Sequence, residues 1–206
     1  RAWVPSMAPV VAVRNGLPVV VELACLNVRL SKQNPGLCVA SALVGGGAAG
    51  LVLRNTSGSS YSSPGRARVF ASGEHMWRDT TDIMGWVVED DGLDVVLSAT
   101  LPAFTRENLK PAADAFLARF GLTLEDMDGF VFHPGGPKVL DVIQSMLELE
   151  SGALRHSWSV LREFGNMSAP TVLFILQRTI ESGARGRHLM VSFGPAFTVT
   201  FAILDL

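Results

Sequence analysis

The stretch GFVFHPGGPKVL, residues 129–140, joins an apolar strand to a helix-like segment through a tight turn, and the rest of the fold follows from this junction. The strand ends at His133, and one proline and two glycines then turn the backbone. Ligands usually bind at the carboxyl ends of strands in open α/β sheets. Adjacent residues without a Cβ also let a ligand approach the backbone closely. His133 is therefore a candidate for chemistry, although a histidine at a strand end is more often a hydrogen-bonded structural residue.

Strands and helices on both sides of this junction predict a layered α/β domain. The helix over 168–183 has Ser168 as a candidate N-cap and is apolar nearly all round, which predicts a buried helix. The Ser/Gly-rich stretch 55–67 predicts a linker or an exposed loop. The other predicted elements are a buried strand within 17–30, two short apolar segments within 36–53, strands over 69–79 and 93–101, a helix from Thr105 to Gly121, a strand over 129–133, a helix over 137–149, and closing strands over 188–193 and 196–204.

The composition restricts the classes of function. The 206 residues carry 17 basic and 19 acidic side chains, so the net charge of -2 offers no general attraction to nucleic acid or anionic lipid. Cys25 and Cys38 have no CxxC spacing, which argues against a disulfide framework and a structural zinc site. Three glycines interrupt the uncharged segment 36–53, and the first residues lack a secretory pattern. We therefore expect no membrane span and a cytoplasmic location.

A second candidate lies between a glycine and the start of the predicted buried helix. Asn166 stands where the first amide groups and the dipole of that helix favour negative charge. An asparagine before a helix is commonly only a cap. An imidazole and a carboxamide that converge on one point would, however, form a two-donor site for an oxyanion or enolate.

Three segments together resemble the carboxyl-terminal half of one enzyme family. They are FHPGGPKVL at 132–140, LREFGNMSAPTVLFIL at 161–176 and SFGPAFTVTFAIL at 192–204. In order and spacing they look like the chalcone and stilbene synthases, the type III polyketide synthases of the thiolase superfamily. The upstream segments VELACLNV, ASALVGGGAAGLVL and GLDVVLSATLP resemble the same family. The resemblance implies a thiolase-like layered α/β fold, with the closing strands of the amino-terminal half in residues 1–60 and a complete carboxyl-terminal half in residues 61–206.

By that resemblance, His133 and Asn166 are two members of a Cys-His-Asn triad. Such enzymes load an acyl group from a coenzyme A thioester onto the cysteine, decarboxylate malonyl-CoA to an enolate and join the two by Claisen condensation. Each step places negative charge on a thioester oxygen, which the Nε2–H of His133 and the amide of Asn166 would stabilise. An imidazolium near the cysteine would also lower the pKa of its thiol. The implied chemistry uses coenzyme A thioesters and requires no metal or redox cofactor.

The resemblance also assigns residues to the substrate cavity and to the coenzyme A arm. The implied cavity walls are Asn27, Val44, Val95 and Ser168, and the segment beside the coenzyme A arm is Gly135, Gly136, Pro137 and Lys138. Two of the wall positions are valine where plant members carry phenylalanine, so the cavity mouth would admit longer or aliphatic acyl chains. Lys138 would contact the coenzyme A phosphates, although an exposed lysine at a helix start is more often merely solvated.

The sequence departs from the family pattern in two places. Gly46 replaces the aspartate of the family's GDGA motif, which would loosen that turn. The amino-terminal region that carries the family's nucleophilic cysteine has no counterpart in these 206 residues. Cys25 and Cys38 read as buried structural thiols, so we expect the isolated chain to be inactive and to act as a homodimer or with a Cys-bearing synthase half.

Two alternatives stay open. The chain is either a condensing half of such a synthase or an inactive remnant or partner subunit that binds a full-length synthase. A ketoacyl-carrier-protein synthase of the same superfamily is a third reading, against which the residues that follow His133 and Asn166 argue. The other histidines, His75, His156 and His188, are expected to be surface residues.

Overall fold

A computed structural model describes residues 15–24, 42–54, 67–90 and 92–206. The strands are β1 (Asn15–Gly16), β2 (Val19–Glu22), β3 (Gly47–Gly50), β4 (Leu53–Arg54), β5 (Arg68–Met76), β6 (Met84–Glu89), β7 (Gly92–Leu97), β8 (Gly129–Phe132), β9 (Arg187–Gly194) and β10 (Thr198–Asp205). The helices are α1 (Leu101–Ala118), α2 (Pro137–Met146), α3 (Arg155–Phe164) and α4 (Ala169–Glu181), and a 3-10 turn spans Leu124–Asp126. Cys25, Asn27, Cys38 and most of the predicted linker lie outside the described residues.

The largest sheet holds four strands in the order β5-β10-β9-β8. β8 runs parallel to β9, and the other two pairings are antiparallel. Helix α1 packs against this sheet because Gly73 of β5 has no side chain: a Cβ there would lie 3.0 Å from the ring of Phe116. The Phe116 ring stacks on Phe201 of β10, and both are fully buried. The predicted α/β layering and the closing strand pair are confirmed.

Helix α4 lies between two sheets. It contacts β8 and β9 of the four-stranded sheet and also β2 and β3, which pair antiparallel with each other. Val172 and Ile175 are buried in a second core cluster with Val131 and Met167. The prediction of a buried helix is therefore confirmed. Its apolar sequence on nearly all sides has a direct cause, since both faces are covered by protein.

Helix α1 begins four residues before the predicted N-cap. Pro102 occupies its first turn, where a missing N–H costs nothing. Thr105 lies inside the helix and its Oγ1 donates to the Leu101 carbonyl at 2.8 Å. The prediction of Thr105 as a cap was wrong because the same hydroxyl can bond backward within a helix.

Strand β6 and helix α3 were not predicted. The predicted strand 93–101 is the second strand of the hairpin β6–β7, which ends at Leu97, and Leu101 already belongs to α1. Helix α3 over 155–164 was missed because polar residues make up more than half of its sequence. Its buried positions, Ser157, Val160 and Leu161, nevertheless repeat at helical spacing.

Strand β2 was predicted to be buried and is not buried on both faces. Val19 and Val21 on β2 and the flanking Leu17 and Leu23 are 58–68% exposed and recur at every second residue, so they form one apolar row. We call these four side chains the β2 apolar row. Helix α4 covers the opposite face of the strand. Within the described residues no helix is long and apolar enough to cross a membrane. The division at residues 60 and 61 stays a prediction.

The β2 apolar row predicts self-association of the chain. Replacing Val19 and Val21 together by threonine keeps the β-branched shape and removes apolar surface, so associated species should decrease. Multi-angle light scattering measures the change. The matched control is the double replacement by threonine of Val87 and Val88, which are 47% and 81% exposed on the β6–β7 hairpin. A monodisperse monomer for the unchanged chain would contradict the prediction.

Candidate functional site

His133 extends strand β8 by one residue. Its N–H donates to the carbonyl of Val191 on β9 at 2.8 Å, so its backbone is still held by the sheet. The side chain is 5% exposed. Its Nδ1 atom is enclosed and has no hydrogen-bond partner among the residues that the structure describes. A buried polar atom without a partner is uncommon and needs an explanation, which a ligand bound at the imidazole would supply.

Burial determines the charge of this imidazole. Removal from water lowers the pKa of His133 from 6.5 to about 4, because it penalises the charged form. The ring is therefore neutral at pH 7 and carries one N–H donor and one acceptor nitrogen. A neutral imidazole can donate a hydrogen bond to a developing anion without a charge of its own.

Asn166 is fixed by backbone pairing to a distant segment. Its N–H donates to the Leu43 carbonyl at 2.7 Å, and its carbonyl accepts from Gly45 N–H at 2.9 Å. These two bonds form a parallel bridge between Val44 and Asn166. The segment after α3 is therefore joined to the glycine-rich turn that leads into β3.

The carboxamide of Asn166 points to the turn after His133. Its Nδ2 lies 3.5 Å from the Gly135 carbonyl, two residues past the imidazole. Its Oδ1 accepts from the N–H of Ser168 at 2.8 Å, which fixes the amide orientation. Ser168 itself has a φ of 58° and makes no side-chain cap. The structure thus brings the segment of Asn166 to the turn that follows His133. Ser168 does not cap α4 with its side chain, and its backbone N–H orients the Asn166 amide.

Three glycines make this junction possible. A Cβ on Gly45 would overlap the Phe164 carbonyl oxygen, and one on Gly165 would lie 2.7 Å from the Leu43 oxygen. A Cβ on Gly47 would lie 2.6 Å from the sulfur of Met167. Real Cβ atoms do not approach other atoms so closely, so the backbones meet only because side chains are absent. The glycine run of the sequence is a contact surface as well as a turn.

The other predicted site residues fall into two groups. Val44 lies at the bridge to Asn166, and Gly135 and Gly136 form the turn against which the carboxamide rests. Pro137 and Lys138 begin α2 and are exposed. Val95 pairs with Trp86 across the β6–β7 hairpin, and no described hydrogen bond or strand pairing joins it to His133 or Asn166. The roles of these residues stay predictions, and Asn27 lies outside the described residues.

The expectation of three surface histidines was wrong. His188 is 3% exposed on β9, where its ring packs in the space left by Gly129 of the paired strand. His156 is partly buried, and burial, Arg155 and Arg178 all lower its pKa. His75 is partly buried with its ring 4.4 Å from that of Trp77. The expectation rested on polar residues next to these histidines in the sequence, which do not determine whether a side chain is buried in the fold.

Sequence reasoning missed two residues of the site. Leu43 supplies the carbonyl for Asn166, and its side chain lies close to Gly136. Ser157 donates its hydroxyl to the Phe132 carbonyl at 2.7 Å. The helical spacing of buried positions in α3 was the signal that would have identified Ser157. In the described part of the chain no three His, Cys, Asp or Glu side chains cluster as metal ligands.

The sequence that builds this site is similar to the sequences of one enzyme family. Residues 69–205 match the family model for chalcone and stilbene synthases, C-terminal domain. The 1,3,6,8-tetrahydroxynaphthalene synthase of Streptomyces peucetius subsp. caesius is 35% identical over 189 residues, which cover 89% of this chain and 49% of that enzyme. The alpha-pyrone synthesis polyketide synthase-like Pks18 of Mycobacterium tuberculosis is 27% identical, with 92% and 49% covered. The chain spans about half the length of the curated relatives it matches.

The fold of the chain is also similar to the solved structures of type III polyketide synthases. PKS-I from the brown alga Ectocarpus siliculosus superposes with a TM-score of 0.84 at 26% identity, covering 93% of this chain and 52% of that one. The 1,3,6,8-tetrahydroxynaphthalene synthase of Streptomyces coelicolor A3(2) gives 0.83 at 29% identity, covering 93% and 54%. The predicted resemblance and the thiolase-like α/β fold are confirmed.

The glycine junction predicts a specific destabilisation. Gly165 has a φ of 72° and a ψ of -168°, a region that only glycine adopts easily, and it contacts Leu43. Gly165→Ala should lower the free energy of unfolding by about 3 kcal/mol or more, from strain and overlap together. Gly152 is the matched control, because its φ is 89° and nothing lies within 4 Å of an added Cβ. Gly152→Ala should cost about 1–2 kcal/mol. Equal losses in urea titrations would contradict the prediction.

The buried imidazole predicts a pH dependence of stability. The pKa of His133 in the folded chain, about 4, lies below its ordinary value of 6.5. Above pH 6.5 neither state binds the proton, and the neutral ring costs nothing. Between pH 6.5 and 4 the unfolded chain takes up the proton and the folded chain does not, so the free energy of unfolding falls by on the order of 3 kcal/mol.

Urea titrations at several pH values measure this fall. His133→Gln should flatten it, whereas His156→Gln, the control for a second histidine of lowered pKa, should keep most of it. An identical pH profile for the unchanged chain and His133→Gln would show that the His133 imidazole is accessible to protons in the folded state.

Proposed function

Because the chain belongs to the chalcone and stilbene synthase family, we propose that it forms the condensing half of a type III polyketide synthase. In this role it acts on coenzyme A thioesters: malonyl-CoA loses carbon dioxide, and the resulting enolate attacks an acyl thioester. The observation that supports the proposal is the approach of the Asn166 carboxamide to the turn after the buried imidazole of His133.

The proposed reaction places its charge on one oxygen. When the C–C bond to the carboxylate of malonyl-CoA breaks, its electron pair forms an enolate, and negative charge develops on the thioester oxygen. In condensation the enolate carbon forms a bond to the acyl carbonyl carbon, whose oxygen takes the charge until the thiolate leaves. Hydrogen-bond donors aimed at such an oxygen in a site without water contribute more than they would in water.

His133 and Asn166 have the donors that this reaction requires. The neutral imidazole of His133 donates one N–H. The NH₂ group of Asn166 has two hydrogens, of which one is directed to the Gly135 carbonyl and the other remains for a ligand. The Ser168 N–H occupies Oδ1 and so keeps the amide nitrogen, not the oxygen, on the side of the turn. We propose that both donors bind the same thioester oxygen.

The acyl-carrying cysteine is the part that these residues do not supply. By the family pattern it belongs to the amino-terminal half, which the chain does not span. A thiolate beside His133 would favour the imidazolium and oppose the effect of burial on its pKa. We propose that condensation therefore requires a Cys-bearing synthase half in the same complex, whether or not the chain also forms a homodimer, and that it requires no metal or redox cofactor.

We propose that the coenzyme A arm binds along the exposed start of α2. Pro137 and Lys138 lie in solvent directly after the turn that the Asn166 carboxamide contacts. A coenzyme A arm that passes this turn would bring its phosphates to the Lys138 ammonium. Val44 lies at the bridge to Asn166, and its side chain is smaller than the phenylalanine of plant members, so in the proposed role it would admit an aliphatic acyl chain.

A second candidate is a non-catalytic subunit that binds a full-length synthase. The β2 apolar row favours it, because four exposed apolar side chains on one strand face form a contact surface for another chain. Association with a full-length family member in a pull-down, together with no condensation in any complementation assay, would favour this subunit role over the condensing role.

Complementation tests the proposed function directly. The chain mixed with an amino-terminal half of a relative that carries the cysteine should convert malonyl-CoA to a polyketide product, measured by radiolabelled carbon dioxide release and product mass. His133→Gln and Asn166→Ala should each lower the rate by about 10²–10³-fold, because each removes one oxyanion donor. His188→Gln, a buried histidine outside the site, is the matched control and should keep the rate. No product from the unchanged mixture, or an active Asn166→Ala mixture, would overturn the proposal.

A further inference from the structure

One peptide group beside the site is hydrogen bonded at both of its ends. It joins Phe132 to His133. Its N–H donates to Val191 of β9 at 2.8 Å, and its carbonyl accepts from the Ser157 hydroxyl at 2.7 Å. Because a peptide group is planar, fixing its N–H and its C=O fixes the whole plane, which includes the Cα of His133. The two bonds therefore determine the direction in which the chain enters the histidine.

Ser157 supplies a hydrogen bond that a neighbouring strand would otherwise donate to the outer side of β8. β8 is the outer strand of the four-stranded sheet as described, and β9 pairs with its inner side. The Phe132 carbonyl points away from β9 and would have no partner in the sheet. Ser157, in the first turn of α3, is 1% exposed and meets this carbonyl with its hydroxyl. A hydroxyl of this kind satisfies one buried acceptor, and it also ties α3 to the end of β8.

The same helix leads to the second candidate residue. α3 carries Ser157 near its start and is followed by Gly165 and Asn166. Arg178 of α4 holds α3 in place through two hydrogen bonds to Glu163, at 2.7 and 2.6 Å. Ser157 thus connects the peptide group before His133 to a helix whose carboxyl end presents Asn166.

We propose that Ser157 is a positioning residue for His133. Its hydroxyl holds the peptide plane before the imidazole and so sets the place of the ring relative to the Asn166 carboxamide. The inference rests on the proposed function for its meaning, since positioning has a purpose only if His133 acts on a substrate.

Ring resonances of His133 test this role without any substrate. Histidine-labelled full-length chain gives ¹H–¹³C ring correlations, and the His133 peak is assigned by its loss in His133→Gln. Ser157→Ala should shift the His133 peak by more than its linewidth, and Ser157→Thr, which keeps the hydroxyl, should return it to its original position. Thr105→Ala is the matched control, because Thr105 is also 1% exposed and also donates to a backbone carbonyl, on α1.

If the Ser157 hydroxyl only stabilised the fold, the result would differ. Ser157→Ala and Thr105→Ala would then lower the melting temperature alike, and the His133 peak would stay in place in both or move equally in both. Either outcome overturns the proposal. If Ser157→Ala does not fold, Ser157→Cys retains the size with a weaker donor, and an unmoved His133 peak in that variant overturns it equally. The spectra need no cysteine and no malonyl-CoA, so failed complementation and failed positioning are distinguished.

Discussion

The backbone pairing of Asn166 with Leu43 and Gly45 is the constraint on which the site depends. It joins the end of α3 to the glycine-rich turn before β3, and it is possible because Gly45 and Gly165 leave no Cβ between the two backbones. The bridge fixes the backbone from which the Asn166 carboxamide reaches the turn after His133. The bridge also places β2 and β3 on α4, so the same contact organises the site and covers the second face of the buried helix.

Burial and hydrogen bonding then assign different tasks to the two side chains. The His133 ring is enclosed, which lowers its pKa and keeps it neutral, so it can donate a hydrogen bond without carrying charge. The Asn166 amide is oriented by a backbone N–H on its oxygen, which leaves its nitrogen for donation. The sheet holds one end of the peptide group before His133 and α3 holds the other. A site of this kind needs little reorganisation when charge develops on a bound oxygen.

Sequence alone predicted the parts whose signals are local or whose motifs are long. The strand that ends at His133, the buried helix α4 and the closing pair β9–β10 followed from periodicity and turn residues, and the family followed from three spaced motifs. The start of α1 was misplaced because Thr105 has two possible backbone partners. The polar helix α3 was missed although its buried positions repeat at helical spacing. The buried ring of His188 and the carbonyl of Leu43 were missed because burial and backbone pairing between distant segments leave no mark in a short window. Site geometry was beyond prediction for the same reason.

The proposed oxyanion site requires that the imidazole of His133 and the carboxamide of Asn166 occupy one cavity. The most direct measurement is a nuclear Overhauser spectrum of the labelled chain, read between the ring protons of His133 and the side-chain amide protons of Asn166. We expect a cross peak between them, as well as one from the same amide protons to Gly135. A spectrum in which the amide protons show contacts to Gly135 and none to the imidazole would place the two groups in separate environments and contradict the proposed oxyanion site.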